Sequence, residues 1–484
     1  MKRYHPSKLS GALVIAFLLF ASSCSKEYFD INDNPNSPSN ASIKELLPSA
    51  EAAIALVMGA DYQIYGGLWG QVWTQNPASS QYKTFEQYSP SSSDFDRSWK
   101  LLYADALEDL VTIEAEAKEG GYVNYVAVSK ILQAYCFQTL TDNFGDIPFS
   151  QALNGEVLFP AYDTQEEVYT GIIKLLKDAD ALIDESAFAP GTEDLLLHGD
   201  MSGWRKFGNT LLLRVYMRLS EVNPGLAQNG IGELSAAGAQ FLGDGEDIIV
   251  NYFAVGGNTN PLYSSIIDLS STQNLVGSAT CINYMLSTND PRVEVLYTIA
   301  SNGTYAGILQ GAYDTAVNTP ASLPSAFTGG YGDDPSSALA PVRLMTGYES
   351  LFLQAEAAQR GWIADAPQAL YEAAITASFN AMQIPDSAAN FLAQPSVAFP
   401  SADSLKLKAI ITQKWVALSG TQNNEAWNDW RRTSYPDFFT VSENSIIGSG
   451  RFPARFLYPN SEVTRNQSFP GQKLIYDRVW WDVN

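Results

Sequence analysis

The chain has few of the residues that build metal centres, disulfide frameworks or catalytic triads. Its 484 residues include three cysteines, Cys24, Cys136 and Cys281, and two histidines. The cysteines form neither an even disulfide set nor a C-x-x-C pair. His5 lies in a segment that we expect to be removed, so His198 alone remains, which excludes a His-rich zinc site. No G-x-S-x-G motif accompanies His198, and we interpret it as a structural histidine.

Basic charge is also scarce. Twenty-nine Lys and Arg residues face 52 Asp and Glu residues, which gives a formal net charge of -23. Such an acidic surface repels phosphate backbones and anionic lipid, so nucleic-acid binding is excluded as the function. Hydrophobic residues make up 46% of the chain and aromatic residues 12%, which is enough to build a large core. Disorder is therefore excluded for most of the chain.

The apolar run near the N-terminus is too short to cross a membrane. It extends from Ala12 to Phe20, about half of the ~20 residues that a spanning helix needs. A basic start and small residues around the run are typical of a signal peptide, which we predict for residues 1–23. The sequence Phe-Ala-Ser-Ser-Cys resembles a bacterial lipobox, so we predict that Cys24 is lipidated and that residues 24–42 form a tether. The alternative is an ordinary secreted protein with a chance cysteine.

The rest of the chain, residues 43–484, shows no long linker and is interpreted as a single domain. Its organising stretch, Tyr348–Phe379, reads as two consecutive helices with apolar residues at helical spacing. Gly361 stands where a left-handed C-cap is needed, Asp365 can cap the second helix, and Pro367 fits its first turn. The short connection predicts an antiparallel pair that resembles a tetratricopeptide repeat and that needs stacked neighbours to bury both faces.

Further helices supply those neighbours. Periodicity predicts helices at Ile43–Met58, from about Asp96, at Tyr122–Leu140, Gln165–Ile183, Gly203–Ser220 and Ser404–Leu418. In Gly203–Ser220 we expect the basic residues to pair with carboxylates on neighbouring helices; they are Arg205, Lys206, Arg214 and Arg218. Helical periodicity fades between about residues 251 and 344, where short β-like runs such as VEVLYTIA alternate with turns. We interpret this part as an irregular, partly β insert that is either functional or a packed subdomain.

Aromatic residues are more numerous than a core requires, with 25 Tyr and 10 Trp. Those on helical stripes are interpreted as core: Trp99, Tyr103, Tyr371 and Trp415. Aromatic residues in aperiodic surroundings rich in Asn, Gln and Ser are candidate ligand contacts: Trp73, Tyr82, Tyr88, Tyr263 and Tyr331. Flat rings bind the apolar faces of sugars while amides and hydroxyls bind their edges, so we predict an aromatic arc of this kind. For each of the five, a purely structural role is the alternative.

An ordered set of segments resembles the SusD/RagB family of nutrient-binding outer-membrane lipoproteins, and especially its SusD-like branch. The matching segments are YFDINDNPN after the lipobox cysteine, NFGDIPFSQA, WRKFGNTLLLRVYMRLS, NDPRV, YESLFLQAEAAQRGW, QKWVALSG with NEAWNDWRRTSYP, and RFPARFLYPNSEVTRN with the terminal VWWD. The resemblance covers nearly all of the mature chain. It implies a mainly α fold in which tetratricopeptide-like helix pairs form a scaffold and an irregular, partly β subdomain carries the ligand site.

The resemblance also implies a function. Such a protein would be lipid-anchored on the outer face of the outer membrane, would capture oligosaccharide, and would deliver it to a SusC-type TonB-dependent transporter without catalysis. Peptides are the alternative ligand, because both classes are bound by aromatic residues. An enzyme that cleaves glycosides with Glu349 and Glu356 and a scaffold without a small ligand are the rival classes. No cofactor is expected. Structural calcium stays open, since some family members carry it, but no EF-hand spacing indicates its ligands.

Overall fold

Helices make up most of the chain in the computed structural model, which describes residues 42–254, 257–269 and 271–484. The predicted signal peptide, Cys24 and the tether therefore lie outside the described residues. Residues 43–484 form one compact unit. The helices in chain order are α1 Ile43–Gly59, α2 Asp61–Trp69, α3 Lys83–Glu86, α4 Asp96–Lys100, α5 Glu108–Gly120, α6 Val123–Phe144, α7 Gln165–Leu182, α8 Met201–Arg218, α9 Pro224–Ala236, α10 Pro261–Asp268, α11 Ala279–Ser287, α12 Arg292–Leu296, α13 Gly347–Gln359, α14 Pro367–Ala381, α15 Ala388–Leu392, α16 Asp403–Leu418, α17 Asn423–Thr433 and α18 Asn460–Arg465.

The helix boundaries follow local sequence signals. At the start of α7, Thr164 and Glu167 form a capping box, in which each side chain accepts from the backbone N–H of the other residue. The side chain of Asp200 caps α8 by accepting from Ser202 N at 3.0 Å. Between α4 and α5 the chain continues as a π-helical stretch, Leu101–Leu107. The predicted mainly α class is confirmed.

The organising helix pair is present as α13 and α14, which pack against each other. Gly361 has a φ of 73°, the left-handed conformation that its predicted capping role requires,. Pro367 is the first residue of α14, as expected. The prediction for Asp365 is wrong, because Ala366 occupies the N-cap position and no side chain caps the helix there. Proline has no backbone N–H, so a first turn that contains Pro367 has one hydrogen-bond donor fewer for a capping side chain to accept from.

Strands are few and short in the described residues. Trp73–Gln75 (β1) pairs antiparallel with Leu275–Gly277 (β5), and Ile147–Pro148 (β2) with Tyr162–Asp163 (β3). The third pair joins Ile248–Val250 (β4) to Val342–Met345 (β6). The β4–β6 pair therefore holds the two ends of the irregular insert together, since β4 precedes the insert and β6 ends it. The β1–β5 pair fixes the insert to the N-terminal third of the chain.

Within the insert the β-like run VEVLYTIA is not a strand. Its first half belongs to the short helix α12, where the prediction of β structure is wrong, and in its second half only Tyr297 forms an isolated antiparallel bridge, to Pro324. Arg292 begins α12 and binds Asp290 through Nε at 2.9 Å and Nη2 at 2.6 Å, and it donates to Ser378 Oγ at 3.0 Å. These fully buried contacts hold α12 against α14, so tertiary context overrides the local preference for strand.

A buried network of charged side chains joins the helices of the scaffold. Arg218 on α8 pairs with Glu425 at 2.5 Å and with Asp142 at 3.3 Å. Arg432 on α17 binds Glu356 through two parallel contacts of 2.7 Å. The predicted pairing of the α8 basic residues is confirmed. The pairs are Arg205–Asp180, Lys206–Glu246, Arg214–Glu349 and Arg218 with Glu425, Asp142 and, at 3.6 Å, Asp429.

Glu349 and Glu356 both lie inside this network. Each is almost completely buried. Burial raises the pKa of Glu356, but Arg432 and Arg360 outweigh that effect and lower its pKa overall. The spacing of Glu356 and Arg360, four residues apart, is typical of a surface ion pair, but the Glu356 side chain that accepts this contact at 2.9 Å is only 1% exposed,. Because both carboxylates are enclosed and engaged with arginines, neither offers a surface on which a glycoside could bind.

Candidate functional site

Three of the five predicted ligand-contacting aromatics are buried. Trp73 is fully enclosed in β1, and Tyr82 is 9% exposed with its ring edge against Phe85, at 6.3 Å between centroids. Tyr88 is 3% exposed, and its hydroxyl accepts from Ser442 N at 3.0 Å. Each is packed into the main hydrophobic core. These three side chains therefore belong to the core of this structure, and ligand binding by the five residues stays a prediction.

Tyr263 and Tyr331 are half-buried and stand on adjacent elements. Tyr263 is the third residue of α10. Next to Tyr331, Gly332 N donates to Gln273 Oε1 at 3.3 Å, and a Cβ at Gly332 would lie 2.8 Å from a methyl carbon of Ile266 on α10. The turn at Tyr331 thus packs closely on the helix that carries Tyr263. Ligand binding by these two residues stays a prediction.

A cavity of about 700 Å³ opens beside Tyr263. Its aromatic side chains are Tyr252, Phe253 and Tyr263, of which Phe253 is 63% exposed. Polar groups that line it are Asn251, Asn258, Thr259, Ser264, Ser265, Asp268 and Arg97. This volume lies within the ~300–1,000 Å³ range of small-molecule sites, and rings combined with a few amides and hydroxyls are the usual composition of such sites.

Three elements position the cavity wall. Ala52 and Leu56 of α1 contribute apolar surface, and the end of β4 leads directly into Asn251 and the two aromatic residues that follow. At the start of α10, Asn260 Oδ1 accepts from Leu262 N at 2.9 Å and from Tyr263 N at 3.1 Å. Its Nδ2 donates to Ala340 O at 2.8 Å. Asn260 is buried, so this cap fixes the first turn of α10 and with it the backbone position of Tyr263,.

One charged pair stands at the cavity. Arg97 Nη1 lies 3.0 Å from Asp61 Oδ1, and the Arg97 side chain is 52% exposed. Burial raises the pKa of Asp61, and Arg97 opposes this in part. Burial also raises the pKa of Tyr252, so its hydroxyl is a neutral hydrogen-bonding group at physiological pH. Besides the charged side chains of Arg97 and Asp268, the cavity offers ring faces, neutral amides and hydroxyls, which suits a polyhydroxyl ligand,.

The four aromatic residues predicted on helical stripes lie in or against the hydrophobic core. Trp99, Tyr371 and Trp415 are buried and Tyr103 is half-buried within the core, which confirms their interpretation as core residues. Sequence reasoning missed Tyr252 and Phe253. The available signal was their position at the start of the aperiodic insert, directly after Asn251 and shortly before the sequence Gly-Gly-Asn. Among the residues that the structure describes, no group of three His, Cys, Asp or Glu side chains could hold a metal ion, so no ligand set for calcium is identified.

In this chain, helix pairs support an irregular region that contains an aromatic-lined cavity. This arrangement is that of a helical binding protein. The family described as "SusD-like_2: Starch-binding associating with outer membrane" matches residues 35–459. The chain belongs to this family, as its ordered motifs indicated. No curated protein matches the chain. Within the described residues, none of the helices has the length and apolar character that a membrane span requires.

Several solved structures share the fold. A Bacteroidetes SusD-like protein has a TM-score of 0.79 at 24% identity, with 92% of this chain and 100% of that chain covered. A chitin-binding SusD homologue from Flavobacterium johnsoniae has a TM-score of 0.78 at 25% identity, with 91% and 99% covered. A protein described as chitin-binding gives 0.77 at 23% identity, with 92% and 100% covered. The predicted fold class is confirmed by these likenesses.

Proposed function

We propose that the protein is a cell-surface lipoprotein that captures an oligosaccharide and delivers it to a SusC-type TonB-dependent transporter. The family is described as starch-binding and associated with the outer membrane, which supports the coarse role. The observation that carries the ligand class is the cavity lined by Tyr252, Phe253 and Tyr263 together with neutral amides and hydroxyls. Peptides remain the alternative ligand, because aromatic surfaces bind them as well.

Oligomers of N-acetylglucosamine are the first ligand to test. Two of the similar structures are described as chitin-binding. An acetamido group needs one hydrogen-bond acceptor, one donor and an apolar contact for its methyl group. In the cavity, Asn251 and Asn258 supply both amide donors and acceptors, while Leu56 and Ile267 supply apolar surface. Starch-derived oligosaccharides, which lack the acetamido group, are the matched comparison.

Membrane attachment and delivery form the finer part of the proposal. Lipidation of Cys24 would hold the protein at the outer membrane, because each buried CH₂ of an acyl chain contributes ~0.8 kcal/mol. Replacing Cys24 by Ala should release the protein from the membrane fraction into the medium. Recovery of the Cys24→Ala variant still bound to membranes would contradict the anchor. Co-purification of the parent with a large β-barrel transporter would support delivery, and its absence from mild detergent extracts would contradict it.

We further propose that the protein binds its ligand without cleaving it. The two carboxylates weighed for catalysis, Glu349 and Glu356, are enclosed in the scaffold and paired with arginines. Incubation with N-acetylglucosamine oligomers and with starch oligosaccharides should therefore give no shorter products by chromatography. Turnover that survives removal of contaminating hydrolases would overturn this part of the proposal.

Binding titration of aromatic variants tests the cavity. Tyr263→Ala and Phe253→Ala each remove one ring from the wall, and the loss of a stacking contact worth ~1–3 kcal/mol should raise Kd by roughly 5- to 150-fold. Phe188→Ala is the matched control, since Phe188 is 52% exposed but does not line the cavity. It should bind like the parent. If Tyr263→Ala and Phe253→Ala also bound like the parent, the ligand site would lie elsewhere.

A further inference from the structure

A second cavity, of about 370 Å³, lies near the C-terminal end of the chain between α17 and the segments around residues 451 and 476. The charged side chains that line it are Arg431, Arg451, Arg478 and Asp482. Three guanidinium groups thus meet one carboxyl group in a chain whose net charge is -23. The side chains of this cavity therefore carry net positive charge, whereas the chain as a whole is strongly negative.

Arg431 is the buried member of this group, at 3% exposure. Its Nη1 donates to Ala454 O at 2.7 Å and one Nη2 contact reaches Asp142 O at 2.8 Å, while Asn428 Oδ1 accepts from the same nitrogen. Its Nε has no hydrogen-bond partner. Of the described residues, none places a carboxylate oxygen within ion-pair distance of Arg431, whereas the adjacent Arg432 binds Glu356 directly.

A buried cation without a paired anion is energetically costly. Burial is the largest influence on Arg431 and lowers its pKa to about 9, and Asp482 and Asp142 oppose the shift only in part. Burial likewise raises the pKa of Asp482 to about 6, so this carboxyl group also resists carrying its charge. Asp482 Oδ1 lies 4.0 Å from Arg478 Nε, which is the outer limit of an ion pair. An anion entering the cavity would supply the charge that the wall lacks.

Aromatic rings complete the wall. Trp430 is half-buried, and its ring packs edge-on against Phe452 at 4.9 Å between centroids. The guanidinium group of Arg451 lies 4.3 Å from the ring centroid of Tyr476, which holds this exposed arginine beside the opening,. A flat ring beside an arginine cluster matches a ligand that combines a hydrophobic ring face with a carboxylate.

We propose that this cavity binds a uronic acid, with its carboxylate against the arginine cluster and its sugar ring against Trp430 or Tyr476. The cavity volume is large enough for a single sugar by comparison with the ~300–1,000 Å³ of small-molecule sites. The inference goes beyond the binding of neutral oligosaccharide and does not depend on it, because none of the cavity residues lines the site beside Tyr263.

Calorimetric titration with glucuronate, glucose and acetate tests the proposal on the purified mature protein. Glucuronate should bind at least ~10-fold more tightly than glucose, which lacks the carboxylate, and than acetate, which lacks the ring. Equal affinity for acetate and glucuronate would show an anion site without sugar recognition and would overturn the proposal. Failure of glucuronate to bind would overturn it as well.

Variants at the exposed arginines locate the binding. Arg451→Gln and Arg478→Gln should each weaken glucuronate binding by about three- to tenfold, while Arg465→Gln, a change of the same charge on α18, should leave it unchanged. Asp482→Asn should tighten binding, because it removes the carboxyl group that repels the ligand. Undiminished binding by the Arg451→Gln, Arg478→Gln double variant would refute the assignment. Tyr263→Ala should bind glucuronate like the parent, which separates this site from the first.

Discussion

Replacing Arg432 by Met should destabilise the scaffold far more than replacing an exposed arginine. Arg432 is fully buried and binds Glu356 through two contacts of 2.7 Å, Asp429 at 3.0 Å and Ser220 Oγ at 2.8 Å. Met fills much of the volume but leaves the buried Glu356 without its principal cation and removes one of the cations beside Asp429, which keeps Lys414 at 2.7 Å. Breaking a buried pair in this way costs ~3–5 kcal/mol of unfolding free energy.

Arg205→Met is the matched control. Arg205 lies 2.7 Å from Asp180, but the two side chains are 35% and 50% exposed, so the pair contributes only ~0–1 kcal/mol,. Both variants delete one arginine and its ion pairing from a helix of the scaffold. Urea unfolding followed by tryptophan fluorescence measures the difference, with far-ultraviolet circular dichroism to confirm that each variant folds.

The pH dependence gives the prediction a second readout. In the parent the pKa of Glu356 is lowered from 4.5, so its contribution to stability is present above pH 4.5 and is lost as the pH falls through the folded value,. In Arg432→Met that contribution is absent. The stability gap between parent and variant should therefore shrink as the pH drops below 4.5. The reasoning would be refuted if Arg432→Met lost as little unfolding free energy as Arg205→Met, or if the difference in unfolding free energy between parent and Arg432→Met did not change with pH.

Three further outcomes follow from burial. Glu86→Gln should stabilise the protein increasingly from pH 4.5 to about 8. Burial raises the pKa of Glu86 to about 8, so over that range the folded parent keeps this carboxyl group protonated while the unfolded chain ionises it, which favours unfolding of the parent; unchanged urea midpoints across this range would contradict this,. Cys136 and Cys281 are both buried and should resist a thiol reagent until urea unfolds the chain, so rapid native labelling would be inconsistent with the packing,. Gly66→Ala should lower the free energy of unfolding by ~1–3 kcal/mol or more, because the added Cβ would lie 2.4 Å from Asn424 N,. An unchanged melting temperature would disprove that close approach.

The helical scaffold could be predicted from the sequence because its signals are local. The helices predicted at Gln165–Ile183 and Ser404–Leu418 match α7 and α16 to within one residue at each end. Spacing of apolar residues, Thr164 as a cap and Pro367 in a first turn all act within a few residues of the helix that they define. The strand prediction for VEVLYTIA failed because Arg292 and its buried partners on other segments decide the conformation there.

The candidate sites depend on contacts between distant segments, so the sequence indicated them only in part. Trp73 and Tyr263 have similar polar surroundings in the sequence, yet Trp73 pairs opposite Gly277 and is enclosed, whereas Tyr263 faces a cavity. The arginine cavity was not foreseen at all. Arg431 and Arg432 are neighbours on α17, but they meet different segments. Arg432 faces α13 and binds Glu356, whereas Arg431 binds the backbone carbonyl of Ala454.

Composition and local pattern by themselves determined the acidic surface, the helical class, most helix boundaries and the family motifs, because these properties need only the identity and spacing of nearby residues. Tertiary structure alone decided which aromatic rings reach the surface, that Glu349 and Glu356 are enclosed, and that Arg431 packs on the rings of Trp427 and Trp481 with no carboxylate at ion-pair distance among the described residues. Burial and charge pairing are set by whichever segment packs against a side chain, and here those segments lie up to several hundred residues away.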